Sequence, residues 1–278
     1  MDSQNPALDL VKATKVYRTT WSLPFADLPT VDMKDRLSVL TVASGLRKVG
    51  VLETWGQRLA KIRDRIIANG LATSVATCVW STIERPDGTP HRDVLQALDE
   101  MRVAGKPKHV LWLYAGLEER EKYRRTSFTQ QQAGTLLEYP SCCIAFESSV
   151  MARLPQAQLD AMIAESGDDH AKLLDKLRRT GKLDAPRIPL PDNALRTEQR
   201  LPFTLHVACD ACLDDPGSAS AAINAQYGEL AARVDAGLHA LFLEVQETYC
   251  QITHDQSKNR DLLAQVRTLH GNFFKSGS

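Results

Sequence analysis

The chain has 278 residues, 43% of them hydrophobic, which is enough for one large domain or two modest ones with a full core. Lys plus Arg number 34 and Asp plus Glu number 34, so the formal net charge is zero. That balance argues against a broad nucleic-acid surface, which needs a basic face to release counterions. No apolar run approaches the roughly 20 residues that span a bilayer, and the polar start Met1-Asp2-Ser3-Gln4-Asn5 lacks a signal-peptide pattern. The expectation is a cytoplasmic protein without a membrane partner, in which clustered cysteines serve metal or redox chemistry rather than disulfides.

In chain order, residues 1 to about 30 carry no clear period. Leu37, Leu40, Ala43 and Leu46 predict a helix ending near Gly50. Leu59, Ile62, Ile66 and Ile67 predict another, stopped at Asn69-Gly70. The β-branched run from Ser74 to Ile83 reads as a buried strand, followed by a turn at Arg85-Pro86-Asp87-Gly88. Val94, Leu95, Leu98 and Met101 mark a helix ending at Gly105, and His109-Val110-Leu111-Trp112-Leu113-Tyr114 is a second strand. A strand, a helix and a strand predict a small βαβ-like unit whose two strands pair in parallel. A charged helix follows, from Leu117 to Arg125.

From Thr129 the pattern is almost wholly helical. Thr129 caps a first helix, Pro140 ends it, and Ser141 caps the next. Leu159, Met162 and Ile163 predict a further helix, and Leu173, Leu174 and Leu177 another. Residues 181–202, with Pro186, Pro189, Pro191 and Pro202, read as a long loop or linker. The stripe Ile223, Tyr227, Leu230, Val234, Leu238, Leu241, Val245 and Tyr249 predicts one helix of about eight turns. Leu262, Leu263, Val266 and Leu269 give a last helix, and Lys275-Ser276-Gly277-Ser278 is a loose tail. The expected fold is α+β and mostly α-helical. A two-stranded N-terminal part, 1–126, precedes a helical part, 127–278, and the two are either separate or one continuous domain.

The chemistry concentrates in two short segments. Four of the six cysteines lie in Tyr139-Pro140-Ser141-Cys142-Cys143 and His206-Val207-Ala208-Cys209-Asp210-Ala211-Cys212. With Cys142 and Cys143 in the first turn of a helix, the free N–H groups and the positive end of the dipole favour bound anionic sulfur. Adjacent helical residues point about 100° apart. On that ground the vicinal pair suits a cluster several ångströms wide better than one small ion. Cys209-x-x-Cys212 suits either an iron–sulfur cluster or zinc. The leading expectation is therefore a 4Fe-4S cluster held by Cys142, Cys143, Cys209 and Cys212. Zinc is the alternative, and a metal-free thiol–disulfide pair with Cys143 as resolving thiol is a third. His206 is either a ligand or proton donor beside the centre, or a half-buried histidine ending a Phe203-Thr204-Leu205 strand. Tyr139 either faces the centre or packs. Cys78 and Cys250 read as core residues.

Residues Leu137 to Phe146 resemble the G-Y-P-x-C-C signature of an uncharacterised prokaryotic family. His206, Cys209, Cys212, Ser218 and Ser220 match its downstream H-x-x-C-x-x-C and Ser-rich helix start. Glu138 stands where that pattern has glycine. The resemblance covers roughly residues 108–235 and implies a cysteine-ligated centre without naming a reaction.

Phosphate-loop, H-E-x-x-H and G-x-S-x-G motifs are absent from the sequence. Asp168-Asp169-His170 reads as the solvated start of a helix, with a metal or acid–base group as the alternative. Glu244, Glu247 and His254 are too loosely spaced for a diiron set. Glu118 to Lys122 and Arg124-Arg125 read as a solvated face, with Arg124 and Arg125 as alternative candidates to hold an anionic substrate near the centre. These readings converge on an iron–sulfur enzyme acting on a small-molecule substrate by sulfur transfer, desulfuration, dehydration or redox tailoring, served by an electron or sulfur donor protein. A zinc-stabilised binding or interaction protein is the alternative.

Overall fold

The computed structural model describes residues 8–21, 33–52, 57–79, 84–104, 108–180, 192–251 and most of 261–269. Several sequence expectations lie outside these residues: the end of the first strand run at 80–83, the helix stop at Gly105, Pro186, Pro189 and Pro191, His254, and the 275–278 tail.

Two helices open the chain, α1 (Leu10–Trp21) and α2 (Met33–Ala43). Strand β1 (Val49–Leu52) leads to α3 (Gln57–Ala68) and β2 (Ala72–Val79). Gly70, at φ 85, supplies the left-handed residue that ends α3. Helix α4 (Arg92–Ala104) then precedes β3 (Lys108–Tyr114). The sheet order is β1-β3-β2-β4, with β4 (Ser127–Thr129) at one edge.

The pairing of β2 with β3 is antiparallel, Ala72 facing Tyr114 and Cys78 facing Lys108, which corrects the parallel expectation. The reason is where α4 spends its apolar face. Val94, Leu95 and Leu98 do not cover the sheet. They pack on Leu159, Met162, Leu173 and Leu177 of two later helices. The chain between β2 and β3 is thus an excursion that leaves and returns at one end of the sheet, not a crossover. β1 also pairs antiparallel with β3, and β4 adds to β2 in parallel.

β3 is buried on both faces, as its continuous apolar run requires. Val110, Trp112 and Tyr114 join Val49, Ala76, Phe128 and Leu137 on one side. Leu111 and Leu113 join the main core on the other. That core unites α1 and α2 with two C-terminal helices, α11 (Ala219–Val234) and α12 (Ala236–Cys250), through Val16, Leu37, Leu40, Tyr227, Leu230, Leu238 and Phe242. One apolar cluster therefore draws on both ends of the chain.

The helical half differs from the sequence pattern at four places. The stripe from Ile223 to Tyr249 is two helices. Asp235, at φ −149, stops α11, and its Oδ1 accepts from Leu238 N to cap α12. Both helices turn their stripes to the same core, so the apolar period runs on through the break. Helix α7 (Ser141–Ser166) runs through Pro155 and takes in Leu159, Met162 and Ile163, which the sequence pattern assigned to a separate helix. Part of the Pro-rich stretch is helical, as α9 (Asn193–Arg200). Residues 203–205 form turns rather than a strand. The shorter elements are α5 (Leu117–Tyr123), α6 (Gln130–Leu136), α8 (His170–Thr180) and α10 (Asp210–Asp214). No helix of the described residues is long and apolar enough to cross a membrane.

Candidate metal centre

The first pair of thiols is delivered by the joint between α6 and α7. Thr129 begins α6 with a capping box, its Oγ1 accepting from Gln132 N while Gln132 Oε1 accepts from Thr129 N. At the other end Glu138 N donates to Thr135 O and Tyr139 N to Gly134 O, with Glu138 at φ 56. This is the Schellman ending that usually places glycine at the left-handed residue. The left-handed position is filled here by a glutamate, at the cost of a strained φ. Gly134 lets α6 approach α7, since a Cβ there would lie 2.9 Å from Ile144 Cγ1.

Pro140, not Ser141, is the N-cap of α7, because Ser141 is already helical and makes no side-chain cap. Cys142 and Cys143 still fall in the first turn. Cys142 is exposed and Cys143 is buried.

The second pair comes from the turn that leads into α10, and α9 holds this turn from behind. Asn193 Nδ2 donates to Ala208 O at 3.2 Å and to Asp210 Oδ1 at 3.0 Å. Thr197 Oγ1 accepts from Ala208 N at 3.0 Å. Arg196 and Arg200 pair with Asp210 and Asp214. Cys209 is the N-cap of α10, and Cys212 N donates back to Cys209 O. Sequence reasoning missed Asn193 and Thr197, which sat in a stretch read as loop. Their i, i+4 spacing was the available signal.

The two pairs meet. Cys142 Sγ lies 4.0 Å from Cys143 Sγ and 3.5 Å from Cys212 Sγ, and Cys143 Sγ lies 3.8 Å from Cys209 Sγ. All four sulfurs are within 4.8 Å of one another. They form a group of four cysteines that could hold a metal. The vicinal side chains converge to 4.0 Å despite their divergent Cα–Cβ directions, so adjacency on a helix does not keep them off one small ion.

Donors already surround the sulfurs. Cys143 Sγ accepts from Cys209 N at 3.4 Å and contacts Ser220 Oγ at 3.4 Å. Burial pushes the Cys143 thiol far up, and burial together with its contact to Cys212 raises Cys142. At Cys212 burial also opposes ionisation, but hydrogen bonds from Ser220, Cys142 and Cys143 outweigh it and bring the thiol down to about 7. The quartet thus already favours an anion at one sulfur. A soft cation would replace the remaining thiol protons.

His206 is not among the converging ligands. Its Nε2 lies 2.9 Å from Ser220 Oγ, so it reaches the centre through the hydroxyl that touches Cys143. Burial, then the charges of Arg47 and Lys34, lower its pKa to about 4, which keeps the ring neutral. Its Nδ1 is buried and has no hydrogen-bond partner among the described residues. Tyr139 packs against His206 with ring centroids 4.8 Å apart and donates its hydroxyl to Leu205 O at 2.8 Å. Arg47, 2% exposed, lies over the other aromatic partner in this chain of contacts, 5.3 Å from the Tyr139 centroid.

Ser220, wholly buried between His206 and Cys143, entered the sequence reading only through the family pattern. Ser218 caps α11 by accepting from Ala221 N, and its hydroxyl donates to Cys212 O at 2.8 Å.

The remaining candidates lie elsewhere. Cys250 is exposed rather than in the core. Asp169 caps α8 at Ala171 N and Lys172 N, as expected of a helix start, while Asp168 pairs with His91. Glu244 and Glu247 are exposed on α12 and gather no histidine among the described residues. No family model, curated protein or solved structure matches the chain.

Proposed function

We propose that this chain is a zinc-tetrathiolate protein whose metal is structural, and that its activity is binding rather than metal-centred catalysis. One observation carries the reading: the spacing of the four sulfurs. Four thiolates around a single ion at about 2.3 Å stand about 3.8 Å apart by tetrahedral geometry. The measured separations of 3.5, 3.8 and 4.0 Å, with none beyond 4.8 Å, fit that edge length. In a four-iron cluster each thiolate binds a different iron, which spreads the sulfurs to roughly 6 Å. A quartet filled by cysteine also leaves no open position, the mark of a structural site. The ion would tie the start of α7 to the 206–214 segment and, through Ser220, to α11. We extend the same proposal to the Y-P-x-C-C and H-x-x-C-x-x-C pattern, with the histidine acting behind the thiolates.

The test is elemental analysis of protein purified anaerobically under reducing conditions. One zinc per chain, a colourless solution, and cobalt substitution giving tetrahedral thiolate bands support the reading. A brown protein with several irons and broad absorption near 400 nm overturns it. So does metal-free protein in which all four thiols titrate as free.

The iron–sulfur enzyme is the second reading, favoured by one feature. Cys142 alone of the four is exposed, so the centre is open to a small substrate, or to an electron or sulfur donor protein, on that side.

A further inference from the structure

A second site stands on the far side of the Glu138 bend. The first turn of α6, the end of α5, β4 and the residue preceding β1 enclose a cleft of about 610 Å³. Its rim carries Lys48, Lys122 and Arg125, all exposed. Among the described residues none of the three pairs with a carboxylate, and Lys122 instead lies 5.2 Å from the Tyr123 ring centroid. Glu138 is the only acid of the lining, so three cations against one carboxylate leave two net positive charges. Such a concentration of like charge in a concave site raises the local potential for an anion.

The floor is apolar. Phe128, 2% exposed and stacked on Trp112 at 4.2 Å, backs the cleft from β4, and the half-buried Tyr123 is the aromatic ring left accessible in its lining. Gln132, whose Oε1 is committed to the α6 cap, also lines the cleft. Cations at the rim, a polar amide in the lining and an accessible aromatic ring are the parts of a pocket for an anionic head on an apolar body.

We infer that this cleft binds a small organic phosphate, its dianionic group held by Lys48, Lys122 and Arg125 and its organic part lying on Tyr123. The inference goes beyond the metal centre and does not depend on which metal fills it. It extends the role foreseen for Arg125, but sets the anion beside the α6–α7 bend rather than on the sulfurs.

The experiment is calorimetric titration of the full metal-loaded chain with phenyl phosphate at low ionic strength. One site is expected, with affinity falling about tenfold or more in the Lys48→Ala/Arg125→Ala double variant, since each charge-assisted contact is among the stronger hydrogen bonds. Benzyl alcohol tests the ring without the charge, and inorganic phosphate tests the charge without the ring. Each should bind at least about tenfold more weakly than phenyl phosphate. Both substituted side chains are exposed, so the double variant should keep the wild-type metal content and circular dichroism. No binding of phenyl phosphate at about 10 mM, unchanged binding by the double variant, or equal binding of either partial probe overturns the assignment.

Discussion

Replacing Ser220 by alanine isolates the layer behind the thiolates. The Ser220 hydroxyl is fully buried, contacts Cys143 Sγ at 3.4 Å and His206 Nε2 at 2.9 Å, and also lowers the Cys212 thiol through a hydrogen bond. With Cys143 ionised, the hydroxyl donates to sulfur and accepts from His206 Nε2–H, which fixes the histidine tautomer. Alanine removes both bonds at once. His206 Nδ1 already lacks a hydrogen-bond partner among the described residues, so the whole imidazole would be buried without a hydrogen bond. A stranded buried polar group costs about 1–3 kcal/mol. Loss of an outer-shell partner lowers metal affinity about 10- to 100-fold, equivalent to about 1.4–2.7 kcal/mol.

The assay is competition for zinc against a chromophoric chelator, with urea unfolding of the same samples. Ser218→Ala is the control, since it removes a helix cap worth about 1 kcal/mol while touching only a backbone carbonyl of the quartet. Ser220→Ala should lower affinity well beyond the control at similar loss of stability. Zinc affinity within about twofold of wild type would refute the role given to the hydroxyl.

Three further outcomes are expected. His206 has a folded pKa of about 4 against an ordinary 6.5, so between these values the unfolded chain binds the proton and the folded chain does not. Stability therefore falls as pH drops from 6.5 to 4, by up to about 1.4 kcal/mol per pH unit from this group. Urea midpoints should show a shallower fall in His206→Gln than in wild type, and equal slopes would argue against the buried neutral ring. Glu138→Gly relieves the left-handed residue at the end of α6 and should raise unfolding stability by about 1 kcal/mol, read by urea titration, and a loss would contradict the strain. Chelation should lower the thermal midpoint and increase proteolysis within 206–214 ahead of the α1–α2–α11–α12 core, because the sulfurs join that segment to α7. Uniform proteolysis would remove the structural role from the metal.

The residues that make the candidate centre were legible in the sequence, because thiol chemistry is carried by residue type and the segments are short. Cys142, Cys143, Cys209 and Cys212 stand out from any apolar pattern, and the mostly helical α+β class follows from periodicity alone. So do the buried strand around Leu111 and the helix stop at Gly70. These features depend on neighbours within a few positions, where the period of the backbone decides which side chains share a face.

Only the tertiary structure decided the rest. The direction of β3 against β2 depends on α4 burying Val94, Leu95 and Leu98 on α7 and α8, partners more than fifty residues away in the chain. The break at Asp235 leaves no mark in the stripe, because α11 and α12 face one core. The convergence of the four sulfurs is set by α9 bracing the Ala208 turn and by the strained bend at Glu138. Residue type names the ligands, but the distance between ligands on remote segments is a property of packing, and packing is not local.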